Sequence, residues 1–280
     1  MKIIIHGGFF SESSQSQETK KAKQDALERI VKFSYDYLKS HTALETVVYA
    51  VSLLEDDKLF NAGIGSMIQR DGKIRMSASL MDGLSKKMSG VINLEDTKNP
   101  IQVAMLLQKE QDRILAGEGA INYARKHGFE KFSTEIPVRR QEYEAKLKSL
   151  GTGTVGCVAL DKNGNLAAGT STGGKGFELV GRVSDSATVA GNYVNDDCGV
   201  SLTGVGEDIV SGAMAAKIVT RVTDGMNLEN AVEKTFDEIK PFDGFAGAIC
   251  LDKSGNFVHR DSFPTMVFAS FDGETLEVFN

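Results

Sequence analysis

A threonine in the middle of the chain has the setting of a nucleophile. The segment Gly151-Thr152-Gly153-Thr154 is a turn of small residues placed directly before an apolar stretch at 155–160 that predicts a buried strand. If the backbone broke after Gly153, Thr154 would carry both a hydroxyl and an α-amine, whose ordinary pKa is about 8. A hydroxyl needs a base within hydrogen-bond reach, and the amine of the same residue supplies one. The alternative interpretation is a β-branched residue that only begins a strand.

The composition indicates a globular protein of one large or two small domains. Of 280 residues, 41% are hydrophobic, which is enough for a sizeable core. The formal net charge of −6, without a Lys/Arg cluster, argues against a nucleic-acid partner. No apolar run reaches the roughly 18 residues of a membrane span, and no signal peptide is recognisable, so we expect a cytoplasmic protein without a membrane partner. Cys157, Cys198 and Cys250 are odd in number and far apart, which predicts buried thiols.

Periodicity and turn signals predict strands at both ends of the chain, with pairs of helices between them. Helices are expected at about residues 19–40, 44–54, 100–109, 118–127, 206–222 and 228–239, the second of them capped by Thr42 and Glu45. Strands are expected at 2–5, 66–69, 73–80, 88–93, 155–160, 166–171, 247–251, 257–259, 266–271 and 276–279. The charged residues 129–150 predict an exposed linker. This order favours an α+β fold in which two sheets lie face to face under outer helices.

Several further motifs surround the threonine in a fixed order. They are His6-Gly7-Gly8, Leu54-Glu55-Asp56-Asp57, Phe60-Asn61-Ala62-Gly63, Ala78-Ser79-Leu80-Met81-Asp82-Gly83, Thr170-Ser171-Thr172-Gly173-Gly174, Gly181-Arg182-Val183-Ser184-Asp185-Ser186 and Ser201-Leu202-Thr203-Gly204-Val205-Gly206-Glu207. Together they resemble the plant-type L-asparaginase and isoaspartyl peptidase family of N-terminal-nucleophile hydrolases. The resemblance covers nearly the whole chain and is weakest at 129–150 and after about 257. It implies a single hydrolase domain, residues 1–280, folded as a four-layer αββα sandwich.

The resemblance implies a role for each threonine. It places the nucleophile at Thr154 rather than Thr152, and it implies self-cleavage between Gly153 and Thr154 into an α subunit, 1–153, and a β subunit, 154–280. Thr172 would then hydrogen-bond the nucleophile and tune its amine. Thr203 and the amide of Gly204 would form the oxyanion hole.

Arg182 and Asp185 are the expected specificity pair. A guanidinium holds a carboxylate bidentately, and a carboxylate accepts from an ammonium group, so the pair would recognise a free amino-acid head group. An ordinary surface salt bridge is the alternative. By resemblance, Gly206 borders the same pocket and Asn61 lies near the nucleophile as a substrate-binding residue, although a turn asparagine explains it almost as well.

No side-chain metal site is expected, and no cofactor is required. In relatives, main-chain carbonyls of the loop that runs from Leu54 to Gly63 here bind sodium, so a structural sodium ion is a further expectation. Family precedent also implies a homodimer of processed αβ units. The expected partners are small molecules, namely asparagine and β-aspartyl dipeptides, hydrolysed through an acyl-enzyme.

The sequence departs from the family pattern at three places. Phe9-Phe10 stands where relatives continue a glycine run, Phe177-Glu178 replaces a usual Asn-Lys, and residues 261–266 replace a Thr-Glu-Gly-Met-like segment. One alternative is therefore an uncleaved, non-catalytic binding or storage protein. Another is glycosylasparaginase-like activity, although glycosylasparaginases usually carry Asn where Gly173 stands and are exported.

Overall fold

The structure is a computed structural model that describes residues 1–10, 16–145, 153–262 and 265–280. Within these ranges it contains eight α-helices and twelve β-strands, and the expected α+β class is confirmed. The strands are β1 (Lys2–Phe10), β2 (Met76–Asp82), β3 (Lys87–Leu94), β4 (Ile114–Ala116), β5 (Val155–Leu160), β6 (Leu166–Thr172), β7 (Asn192–Val194), β8 (Cys198–Gly204), β9 (Ala246–Asp252), β10 (Phe257–Asp261), β11 (Thr265–Phe271) and β12 (Leu276–Val278). The helices are α1 (Gln17–Leu38), α2 (Ala43–Glu55), α3 (Pro100–Leu107), α4 (Gly117–Lys126), α5 (Pro137–Glu144), α6 (Gly206–Gly212), α7 (Met214–Thr223) and α8 (Leu228–Ile239).

The strands form two sheets of unequal size. The larger has the order β12-β11-β1-β5-β6-β2-β3-β4, and the smaller has the order β10-β9-β8-β7. All neighbouring strands are antiparallel except β3 and β4. Strand β8 contacts β5 and β6, and β9 contacts β1, so the small sheet packs on the centre of the large one. The residues just before β5 and at the end of β6 therefore lie where the two sheets meet.

Each sheet has its own helices and its own apolar core. Helices α1, α2 and α3 pack on the large sheet around buried side chains such as Ile3, Val47 and Val158. Helices α7 and α8 pack on the small sheet, and α6 contacts α8, around a second core that includes Val200 and Ile218. Burial of these side chains is the main force that holds the helices on the sheets.

Local sequence signals explain several element boundaries. The capping box is confirmed, since the Thr42 hydroxyl accepts from the Glu45 amide while the Glu45 carboxylate accepts from the Thr42 amide. Pro100 begins α3, as expected from a residue that has no amide to leave unpaired. In the hairpin turn between β5 and β6, Asp161 accepts from the amides of Asn163 and Asn165.

The structure corrects three predictions of secondary structure. Residues 66–69 form no strand, although the Gln69 amide donates to the Lys73 carbonyl across the predicted turn. The helix expected over 206–222 is two helices, because Ala213 adopts a left-handed conformation with φ 48°. Strands β4, β7 and β8 were not expected, although Cys198, Val200 and Leu202 alternate with small or polar residues along β8.

The predicted linker contains a helix. In α5, which is described over its whole length, no residue is buried. It is nevertheless attached to the loop before β2, because Arg139 Nε donates to the Gly65 carbonyl at 2.9 Å and the Tyr143 hydroxyl donates to the Arg70 carbonyl at 3.1 Å. The Tyr143 ring also stacks on Phe177, with centroids 5.3 Å apart. Residues 146–152 lie outside the described residues.

Candidate active site

The register of β5 and β6 brings Thr154 and Thr172 together. Gly156 pairs with Thr170 and Val155 with Ser171, so the next pair outward is Thr154 and Thr172. The Thr154 hydroxyl donates to the Thr172 hydroxyl at 3.2 Å. Both residues are buried. The antiparallel hairpin thus accounts for the spacing of the two threonines in the sequence.

These threonines open into a pocket of about 180 Å³. Of the predicted site residues, Thr154, Thr172, Arg182, Asp185, Gly204 and Gly206 line it, together with Gly174, Lys175, Ser184, Val205, Glu207 and Phe245. The mixture of hydroxyl groups, charged groups and exposed backbone suits a small polar ligand. The structure therefore brings most of the predicted site into one cavity.

Thr203 and Gly204 stand at the end of β8, beside the pocket. Thr203 is fully buried, and among the described residues its hydroxyl has no hydrogen-bond partner. Gly204 has φ +148°, and a Cβ there would lie 2.8 Å from the Cα of Ala246, so only glycine fits. A buried hydroxyl without a partner is free to donate to a charge that develops in the pocket.

Arg182 and Asp185, the expected specificity pair, both line the pocket, but each has an unforeseen setting. The guanidinium of Arg182 holds Glu207 bidentately, at 2.8 and 3.0 Å. These hydrogen bonds, and the charge of Arg182, lower the pKa of Glu207 to about 2. Lys175 donates to the same carboxylate at 3.1 Å. The interpretation as an ordinary salt bridge thus applies to the pair of Arg182 and Glu207. Sequence reasoning gave Glu207 no role.

Asp185 is the buried acid of the pocket. It is 3% exposed, and its Oδ2 has no partner within the described ranges. Burial raises the pKa of Asp185 to about 7, and the nearby charge of Arg182 offsets only part of this effect. A Cβ on Gly206 would lie 2.8 Å from Asp185 Oδ1 and 2.9 Å from an Arg182 nitrogen, so glycine is needed between them. The free oxygen of Asp185 is suited to accept from an ammonium group.

Asn61 holds the backbone on both sides of the nucleophile. Its amide donates to the Gly153 carbonyl at 3.1 Å, and its carbonyl accepts from the Gly173 amide at 2.8 Å. Its side chain donates to the Gly174 carbonyl at 2.6 Å and accepts from the Met67 amide at 2.9 Å. These bonds favour a positioning role for Asn61, while its expected contact with substrate stays a prediction.

Two carbonyl oxygens of the loop that was expected to hold sodium lie close to Gly65. A Cβ on Gly65 would lie 2.9 Å from the carbonyl oxygen of Phe60 and 3.0 Å from that of Lys58. Main-chain oxygens are ligands that suit a hard cation, and the sodium ion stays a prediction. The described residues contain no group of three or more His, Cys, Asp or Glu side chains that could hold a metal ion.

Comparison with known proteins identifies the family of this chain. The model of the asparaginase family matches residues 1–150 and 133–279. The chain belongs to this family. It is 43% identical to an isoaspartyl peptidase/L-asparaginase of Synechocystis sp. over 99% of this chain and 91% of that protein. It is 37% identical to an isoaspartyl peptidase of Escherichia coli, over 91% of this chain and 87% of the relative. A plant-type L-asparaginase of Pyrococcus furiosus is 33% identical over 91% and 90% of the two chains.

Two of the departures from the family pattern lie beside the site. Phe9 packs edge-on against Phe245, with centroids 5.1 Å apart, and Phe245 lines the pocket. The Glu178 carboxylate fills the space that a Cβ on Gly174 would need. In the third departure, residues 263 and 264 lie outside the described part of the chain.

None of the described helices is long and apolar enough to cross a membrane.

Proposed function

We propose that this asparaginase-family protein is a self-cleaving N-terminal threonine amidohydrolase that hydrolyses β-aspartyl dipeptides and L-asparagine. The observation that carries the proposal is the 3.2 Å contact between the hydroxyls of Thr154 and Thr172 inside a polar pocket. The names of relatives that are 33–43% identical over nearly the whole chain support the same activity.

Self-cleavage would begin at the Thr154 hydroxyl, which attacks the Gly153 carbonyl carbon. The Asn61 amide, at 3.1 Å from the Gly153 oxygen, would stabilise the negative charge that develops there. The peptide bond breaks as the nitrogen takes a proton, and an ester joins Gly153 to the Thr154 side chain. Water then hydrolyses the ester, which leaves residues 1–153 as an α subunit and 154–280 as a β subunit. This reaction releases the α-amine that hydrolysis requires.

In the hydrolysis, the free amine of Thr154 would take the proton of its own hydroxyl as that oxygen attacks the side-chain carbonyl carbon of the substrate. Thr172, which also accepts from the Gly174 amide at 3.1 Å, would keep the hydroxyl oriented. The Thr203 hydroxyl and the Gly204 amide would stabilise the oxyanion. The leaving amine takes a proton and departs as ammonia or an amino acid, and water resolves the acyl-enzyme.

The head group of the substrate would bind on the opposite side of the pocket. The α-carboxylate would pair with Arg182, replacing or sharing its contact with Glu207. The α-ammonium would donate to the free oxygen of Asp185, which must be ionised to balance the charge. Gly206 keeps the space between these two groups open.

Four further expectations complete the proposal. The contacts of helices with each sheet, and of the sheets with each other, support a four-layer αββα sandwich. A structural sodium ion in the loop of residues 54–63 rests on family precedent, and the carbonyl oxygens of Lys58 and Phe60 in this loop both lie close to Gly65. The three buried free cysteines are consistent with a cytoplasmic location. A homodimer of αβ units rests on family precedent alone.

Intact mass spectrometry of the purified protein tests the proposal, with Thr154→Ala as the control. We expect the 30.2 kDa chain to disappear in favour of two fragments whose masses sum to that of the chain plus one water, with Thr154 newly N-terminal. The control should stay intact. Release of an amino acid from β-aspartyl dipeptides, and of ammonia from asparagine, should follow cleavage in time. An intact wild-type chain without turnover would leave only the binding-protein alternative.

A further inference from the structure

A second set of buried polar side chains lies beneath the threonines of the pocket. Thr170 precedes Thr172 by two positions on β6, and Ser201 precedes Thr203 by two positions on β8. Because side chains alternate along a strand, Thr170 and Thr172 lie on one face of β6, and Ser201 and Thr203 lie on one face of β8. Thr170 and Ser201 are both fully buried.

These side chains are joined in a hydrogen-bonded chain that crosses from one sheet to the other. The hydroxyls of Thr170 and Ser201 are 2.7 Å apart, and the Ser201 hydroxyl is 2.9 Å from His6 Nε2. His6 lies on β1 and Thr170 on β6, which flank β5 in the large sheet, whereas Ser201 lies on β8 in the small one. Ser201 is therefore a polar bridge between the sheets.

Gly156 leaves the space through which this bridge passes. It lies on β5, two positions after Thr154, and a Cβ there would collide with both Ser201 Oγ and His6 Nε2. His6 also lies beside the Thr154 backbone. Burial lowers the pKa of His6 to about 3, so the ring is neutral and bonds to Ser201 without burying a charge.

We propose that Ser201, held between His6 and Thr170, is a positioning residue for the hydrolysis. The inference rests on the proposed function. The bridge holds β8 against β6, and so sets where the Thr203 hydroxyl stands relative to the Thr154 and Thr172 pair. Reacting groups must be aligned closely, since a misplacement of 1 Å costs on the order of 100-fold in rate. The bridge does not touch the substrate, so its loss should change turnover more than binding.

The test compares substitutions that remove a hydroxyl with one that keeps it. Thr170→Val removes the hydroxyl at nearly constant volume, Thr170→Ser keeps it, and Ser201→Ala removes the bridge itself. Ser34→Ala is the matched control, because Ser34 is fully buried on α1 and its hydroxyl has no partner among the described residues. For each variant, kcat is expressed per cleaved chain, counted by mass spectrometry, and KM is measured with one β-aspartyl dipeptide.

We expect kcat to fall about 10-fold in Thr170→Val and Ser201→Ala, with KM within about twofold of wild type. Thr170→Ser and Ser34→Ala should turn over like the wild type. Slower self-cleavage in Thr170→Val than in Thr170→Ser also supports the inference, because cleavage starts from the same nucleophilic hydroxyl.

Two results would overturn the inference while the proposed function stands. One is wild-type kcat and cleavage in both Thr170→Val and Ser201→Ala. The other is a loss in Thr170→Ser as large as that in Thr170→Val, since side-chain volume rather than the hydroxyl would then be responsible. A wild-type protein that neither cleaves itself nor turns over would overturn both the inference and the proposed function.

Discussion

Replacement of Thr203 by valine should separate activity from stability. The side chain is fully buried, and within the described residues its hydroxyl has no hydrogen-bond partner. A buried polar group without a partner costs about 1–3 kcal/mol of folding free energy. The two side chains have nearly the same shape, so valine removes this cost without leaving a cavity.

The two expected effects have opposite signs. Loss of one oxyanion-hole donor lowers kcat about 100- to 1000-fold. At the same time, the free energy of unfolding should rise by about 1 kcal/mol, the lower end of the cost of the unpaired hydroxyl. For a chain of this size, that corresponds to an increase of about 2–4 °C in Tm. A residue kept at the expense of stability is typical of a functional site.

Thr235→Val is the matched control. Thr235 is also fully buried, but its hydroxyl donates to the Ala231 carbonyl at 2.7 Å and accepts from Arg221 at 2.6 Å. It lies on α8, which packs on the small sheet around the second apolar core. This control should lose about 1–3 kcal/mol of stability, because it leaves the Arg221 donor without that acceptor. Its kcat should be unchanged.

The assay is a pair of measurements on the same preparations. Initial rates with a β-aspartyl dipeptide give kcat and KM for the cleaved enzyme, and thermal unfolding gives Tm. Wild-type kcat in Thr203→Val would refute the assignment of Thr203 to the oxyanion hole. A loss of stability as large as that of Thr235→Val would refute the reasoning about its unpaired hydroxyl.

Two further predictions concern charged groups. Burial raises the pKa of Glu55 to about 8, so its contribution to stability is full below its unfolded value of 4.5 and is lost as the pH rises through 8. Between pH 4.5 and 8 the ionisation of Glu55 should lower the unfolding free energy of the wild type by up to about 4 kcal/mol. Glu55→Gln cannot ionise, so urea titrations of this variant should lack that decline. Parallel curves of unfolding free energy against pH for the two proteins would contradict this. Arg182→Lys keeps the charge but loses bidentate geometry, so KM should rise on the order of 10-fold with kcat nearly constant in steady-state rates. An unchanged KM would exclude Arg182 as the carboxylate partner.

Local signals in the sequence predicted much of the fold. The capping box at Thr42, the proline at the start of α3 and the Asp-Asn turn after β5 act within a few residues, so each can be recognised without the rest of the chain. Helix α8 likewise has the bounds that its apolar stripe predicted. The turn after β5 also positions the site, because it joins β5 and β6, the hairpin that carries the two facing threonines.

Elements whose stability comes from distant partners were missed. Strand β8 pairs with β9, some 50 residues away at Ser201 and Ile249. Its apolar residues Cys198, Val200 and Leu202 do alternate with polar or small ones, but the strand is short and includes two glycines, which are depleted in strands. Residues 66–69 carry a strand-like pattern, yet the Asn61 side chain accepts from the Met67 amide, and the Ile68 carbonyl accepts from the Phe177 amide. Contacts of this kind override local propensity.

The sequence by itself supplied the candidates for the nucleophile, its partner threonine and the charged pair of the pocket, because its motifs stand in the order that resembles the asparaginase family. Only the tertiary structure decided the state of these groups. It placed Glu207 on Arg182, left the Thr203 hydroxyl without a partner in the described chain, and raised the pKa of Asp185 to about 7. The physical reason is that burial and pairing depend on chain segments far apart in sequence, which meet only when the two sheets pack together.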